Sequence, residues 1–155
     1  VLPIGCSYMR EWLPEEIDVF DPHEWPKRIL NSFQNWVHNK LFRASYVHER
    51  NLSFQPLHRT ADLLFTCRAL TEAHHIALLD EYLHRFRINN ANSAMATSDR
   101  YPLDFYEALT ALRDTLKEQG TWELYHDSYI SWAAISVIAN LEVARSLEGF
   151  ATIAY

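Results

Sequence analysis

The chain has 155 residues, enough for one domain with a sizeable buried core. Hydrophobic residues make up 48% and aromatics 14%, too much for a disordered chain, and three glycines are too few for an all-β domain rich in tight turns. A formal net charge of −6 excludes a generally basic, histone-like nucleic-acid coat but leaves room for a local basic groove, because phosphate contacts need only a few arginines.

Cys6 and Cys67 are too few for a disulfide framework, so a reduced, intracellular setting is expected. The opening VLPIGCSYMREW has no charged region ahead of a long apolar run, so no signal peptide is expected. No uninterrupted apolar stretch reaches about 18 residues, so no membrane span is expected either.

In chain order, residues 1–24 read as an irregular acidic arm. Glu11, Glu15, Glu16, Asp18, Asp21 and Glu24 face a single Arg10, and Pro14 and Pro22 interrupt any long helix. Asp21-Pro-His-Glu-Trp-Pro26 reads as the start of a helix, with proline in the first turn. From Trp25, the spacing of Ile29, Leu30, Phe33, Trp36, Val37 and Leu41 predicts a helix over 24–42. A shorter helical piece is expected over Ala44–Leu52, ended by Pro56. Residues 54–70, FQPLHRTADLLFTCRAL, fit a short strand or a helix and are read as a strand-like or irregular connector. Thr71 can N-cap a helix running to about Phe86, with Ile76, Leu79 and Leu83 as its buried stripe.

In RFRINNANSAMATSDR (85–100) two arginines close that helical segment, and the stretch 88–100 has no bulky aliphatic beyond Ile88 and Met95. It cannot bury enough to order itself and reads as a long loop. Pro102 and Asp104 then open a helix over 103–119, with Phe105, Leu109, Leu112 and Leu116 on one face and Gly120 as its stop. Ile130–Leu147 is apolar and reads as helical. The expected fold is a single mainly α domain: antiparallel helices forming a bundle, a long inner loop over 87–102, and little or no β. Joining the helices 72–86 and 103–119 by that loop places Arg85, Arg87 and Arg100 at one end. Their guanidinium forks match phosphate oxygens. The competing reading is a plain solvated loop with scattered arginines.

Catalytic patterns are weaker. Glu72-x-x-His75 and Glu123-x-x-His126 fit the i, i+3 pattern of di-iron helical bundles, which also need two more glutamates on facing helices. Glu107 is the possible mate, but a turn at Gly120 would put it and Glu123 at opposite ends of a hairpin, so no metal site is expected. Arg43-x4-His48 resembles the R-x4-H motif of HEPN-type ribonucleases, small helical domains in which that pair acts on RNA. No G-x-S-x-G, no P-loop and no Cys-His signature supports a nucleophile. His74-His75 reads as one buried and one exposed imidazole.

Ala77-Leu-Leu-Asp-Glu-Tyr-Leu-His-Arg-Phe-Arg-Ile88 resembles a helix end in the coat proteins of tobamovirus-like, rod-shaped plant RNA viruses, matching at Ala77, Leu78, Leu79, Tyr82, Arg85, Arg87 and Ile88. An Asn-rich loop follows in both. Asp104-Phe-Tyr-Glu-Ala-Leu-Thr-Ala-Leu-Arg113 resembles the family's acidic-start helix, Tyr125-His-Asp-Ser-Tyr129 its aromatic segment, and Trp25–Asn39 its first helix. Length agrees as well. The segment after Tyr129 departs from the family, being longer and more apolar than its polar tail.

The resemblance implies a non-enzymatic capsid subunit with a four-helix-bundle fold, stacking helically around single-stranded viral RNA with no cofactor and no membrane. It would be found in the virion, and in the host cell cytoplasm during assembly. Arg85 and Arg87 would hold phosphates, with Arg100 as a third candidate. The acid that contacts RNA at the start of the helix after the loop would be Asp104 or Glu107. Backbone contacts suit a coat that must accept every sequence in a genome. Carboxylates of Glu15, Glu16 and Asp18, or of Asp80 and Glu81, could repel across stacked subunits, or could be plain solvated charge. Trp12, Trp122, Trp132 and the apolar C-terminal segment are candidate subunit contacts, or simply core. The alternative function is a small helical HEPN-like endoribonuclease using Arg43 and His48.

Overall fold

The computed structural model describes residues 18–79, 81, 99–144 and 146–154. It is mainly helical. In chain order the elements are β1 (Val19–Phe20), α1 (Ile29–Ser32), α2 (Ala44–Glu49), α3 (Leu63–Thr71), β2 (Ile76–Ala77), α4 (Asp104–Glu118), α5 (Trp122–Val143) and α6 (Leu147–Ala154). Short 3-10 turns cover Pro22–Glu24 and Val37–Asn39.

The best-ordered logic is that of α4. Phe105, Ala108, Leu109, Leu112 and Leu116 recur at three- and four-residue spacing, and all five are buried. Gly120, at φ +70°, ends the helix in the left-handed conformation that a side chain disfavours, and the Thr121 N–H returns to the Leu116 carbonyl at 2.9 Å. The chain then runs back as α5. The Lys117 ammonium lies over the Trp122 ring, and the Tyr129 hydroxyl donates to the Leu109 carbonyl, so α4 and α5 are antiparallel. α3 packs on α4, and α1 on α3 and α5. Ile29, Leu30, Cys67, Phe105, Leu112, Leu116 and Tyr125 form the shared core. The Tyr125 hydroxyl, fully buried, donates to the Thr71 carbonyl at 2.9 Å and ties α5 to the end of α3. A smaller cluster of Leu52, Phe65 and Ala69 seats α2 against α3.

Three expected elements take a different form. The helix expected over 24–42 is broken into a 3-10 turn, the four-residue α1, an extended stretch and a second 3-10 turn. Tertiary hydrogen bonds replace the helical ladder there. Ser128 Oγ accepts the Leu30 N–H, Asn35 Nδ2 donates to the Leu30 carbonyl, and Lys40 Nζ donates to the Gln34 and Trp36 carbonyls. The connector over 54–70 is helical from Leu63 onward.

The helix expected over 72–86 is absent over 72–79. Thr71 closes α3 rather than capping a new helix, and Ile76–Ala77 pair antiparallel with Val19–Phe20. Glu81 is not helical either, and residues 80 and 82–86 of that helix, with most of the expected loop after it, lie outside the described residues. Elsewhere α2 and α4 lie close to their expected bounds. α5 starts eight residues before Ile130 and is a single 22-residue helix. No helix among the described residues is long and apolar enough to cross a membrane.

Candidate nucleic-acid interface

The far base of the expected loop falls where α4 begins. Asp99 and Arg100 form a short 3-10 turn, and Tyr101–Leu103 lead into α4. Arg100 is exposed. Beside it the rings of His58 and Tyr101 stack with centroids 3.9 Å apart and planes 20° from parallel. A cation that adjoins an aromatic pair in sequence supplies the residue types that hold a phosphate and stack a base.

The two acids proposed for RNA contact divide. Asp104 turns inward: its Oδ2 accepts the Arg59 backbone N–H at 2.8 Å. Glu107, one turn further along α4, is exposed. Arg59 itself is buried, with 6% of its surface exposed. Its guanidinium donates to Asn140 Oδ1 on α5 at 3.2 Å and to the Tyr101 carbonyl at 3.5 Å. Burial pulls its pKa below the usual arginine range, and the charges of Asp104 and Asp99 oppose that pull.

Asp99 is also tied to the C-terminal helix. A Cβ placed on Gly149 would lie 2.9 Å from Asp99 Oδ1, so the absence of a side chain at 149 lets that carboxylate reach the first turn of α6. Ser146 Oγ accepts the Gly149 N–H at the same turn. Arg59, Asp99, Asp104, Asn140 and Gly149 therefore brace residues 99–103 against α4, α5 and α6. Nothing in the sequence pattern singles out Arg59; only the fold brings it to Asp104. Arg85 and Arg87 lie outside the described residues.

The catalytic patterns are not assembled. Glu72 Oε1 accepts from Arg68 Nε at 2.6 Å and from Gln119 Nε2 at 2.7 Å. His75 follows the end of α3, so Glu72-x-x-His75 is not a helical pair. His126 Nδ1 sits 3.1 Å from Asp127 Oδ1, and its ring meets the Trp122 ring edge-on. Among the described residues, the metal-ligating side chains that do converge are Asp21, His23 and His74. His74 and His75 are both exposed, not one in and one out.

Arg43 is the N-cap of α2, and His48 lies in its last turn beside a shallow depression lined by Val47, Asn51, Leu52 and Ser53. Arg43 itself has extended backbone, so Arg43 and His48 are not a pair within one helix. Of the expected subunit anchors, Trp122 and Trp132 pack against their own core, and Trp12 lies outside the described residues. Asp18 and Glu81 are exposed; Glu15, Glu16 and Asp80 lie outside the described residues.

A different surface stands out on α5. In its second half Ser136 is buried and Asn140 holds Arg59, so polar side chains face inward. Facing outward are Ile130, Ala134, Val137 and Ile138, at i, i+4, i+7 and i+8, with Ile135 beside them. Ile130, Ile135 and Ile138 are 53%, 45% and 57% exposed. Across the break at Ala144, Leu147 is 90% and Phe150 48% exposed. Compared with protein-family models, curated proteins and solved structures, the chain matches none of them.

Proposed function

We propose that the chain is the coat subunit of a rod-shaped, helical RNA virus, a non-enzymatic protein that self-assembles around single-stranded RNA and holds its phosphate backbone. The observation that carries this reading is the inverted second half of α5. A helix that is apolar outward and polar inward is stable in water only if something covers its outer face. The occupant is a second copy of the chain. The α5 stripe and the exposed Leu147 and Phe150 are two apolar patches on one subunit, and such a pair suits the head-to-tail contacts that propagate an open helix.

In this reading α1, α3, α4 and α5 are the four helices of the bundle, with Arg100, His58 and Tyr101 at the end that meets RNA. Arg85 and Arg87 would join them from the loop. Glu107, exposed on α4, takes precedence over Asp104 as the acid near the strand, because Asp104 already accepts the Arg59 N–H.

Electron microscopy of the purified protein with and without single-stranded RNA tests the proposal. Disks or rods are expected, with RNA protected from added nuclease inside them. The double variant Arg85→Ala/Arg87→Ala should fold and self-associate yet fail to protect RNA. Normal encapsidation by that variant would reject the site assignment. Discrete dimers that cleave RNA, with cleavage lost in His48→Ala, would replace the coat reading by the nuclease one.

A further inference from the structure

The β1–β2 ribbon brings together three side chains that the proposed function does not use. Asp21 directly follows β1, His23 lies in the 3-10 turn that Asp21 caps, and His74 precedes β2. The pairing of Val19 with Ala77 and of Phe20 with Ile76 sets the register, so segments far apart in sequence meet here. One ligand atom from each of the three residues lies within 4.8 Å of the other two. The two imidazoles stack with centroids 5.3 Å apart and planes 24° from parallel.

We infer that Asp21, His23 and His74 form a site for a divalent transition-metal ion of the zinc class, which clamps the ribbon to the end of α3.

The donor set is two imidazoles and a carboxylate, a set that suits zinc and its first-row neighbours rather than calcium or magnesium. The carboxylate is already oriented. Asp21 Oδ1 accepts the His23 N–H at 2.9 Å, and that contact, with His23 Nδ1 at 2.6 Å, holds the Asp21 pKa below its usual value. His74 Nδ1 stands 3.9 Å from Oδ2 of the same carboxylate. The contact between His23 Nδ1 and Asp21 Oδ1 is one that a cation would replace.

Tetrahedral zinc with bonds of about 2.0–2.2 Å sets its ligand atoms roughly 3.4 Å apart; the three ligand atoms lie within 4.8 Å of one another, so the widest separation has to close by at most about 1.4 Å. His74, with 65% of its side chain exposed, has the freedom to make that move. Three protein ligands leave a fourth position for water on the open side. The Tyr125 ring lies 6.2 Å from His23, but its hydroxyl is held by Thr71 and is not a ligand.

The test uses the full chain freed of metal with a chelator, then titrated with Zn²⁺ in a calorimeter and with Co²⁺ followed by visible absorption. One Zn²⁺ per chain is expected, with a rise in Tm, and Co²⁺ should give the intense bands of a four-coordinate site. His74→Ala is the decisive variant, because its exposed ring carries none of the core. It should fold like the parent and bind Zn²⁺ about 10- to 100-fold more weakly, with the Co²⁺ bands lost. His126→Ala, on the outer face of α5, should bind as the parent does. Zn²⁺ affinity unchanged in His74→Ala, or no Zn²⁺ bound by the parent at micromolar concentrations, overturns the inference. Neither result bears on whether the chain forms rods with RNA.

Discussion

Replacing Ile135 and Ile138 together by lysine tests self-assembly through α5. Each side chain is about half exposed in the single subunit, 45% and 57% respectively. Fully burying an isoleucine is worth about 1.5–3 kcal/mol, so the exposed halves together amount to about one such burial per contact. Losing it weakens each contact about 10- to 150-fold, before the further cost of pressing an ammonium into an apolar seam. The subunit itself should be unharmed, because both side chains already point to solvent. Far-UV circular dichroism and Tm at low concentration should match the parent, while sedimentation velocity shifts from large species to monomer. A double variant that sediments and forms rods like the parent refutes the reasoning, as does a parent that stays monomeric at every concentration.

Leu112→Ala empties a fully buried position of α4 in the shared core and should cost about 2–5 kcal/mol by denaturant titration; a loss under 1 kcal/mol would refute that burial as a source of stability. Tyr125→Phe removes the donor to the Thr71 carbonyl and should cost about 0.5–1.5 kcal/mol, read as a lower Tm with an unchanged spectrum. Burial pushes the Cys67 thiol up to about 12, so mass spectrometry should find it unlabelled by a thiol reagent at pH 8 until denaturant is added. The Asp21 carboxyl is held low chiefly by the His23 N–H, then by the His23 ring. A lowered carboxylate contributes stability fully above its unfolded pKa of about 3.9 and loses it as pH falls through the native value. Asp21→Asn should therefore flatten the acid limb of the stability profile below about pH 4 and leave the slope near pH 7 unchanged.

What the sequence made legible follows from where each element's hydrogen bonds close. α4 could be read because its apolar spacing, its acidic first turn and Gly120 are all local. The helix expected over 24–42 could not be corrected from sequence, because Ser128, about a hundred residues away, takes the Leu30 N–H, and Asn35 and Lys40 satisfy carbonyls through side chains. The stretch after Thr71 has helical periodicity on paper, yet Ile76 and Ala77 find a partner strand in Val19 and Phe20. At the candidate interface, Arg100 and Glu107 were visible as a loop-end cation and a first-turn acid. Arg59 was not, since a lone arginine in a connector carries no mark of the aspartate it will meet. Asp21-x-His23 is readable as a short motif, but its third member depends on the ribbon.

The inward Ser136 and Asn140 of α5 have a consequence for how durability should be measured. If copies of the chain cover that greasy side as proposed, the subunit gains much of its resistance to unfolding from its neighbours, and that resistance is set by how crowded the solution is with its own kind. Melting curves should move upward with dilution reversed, and a single figure for the lone chain would describe only the assembly's starting material.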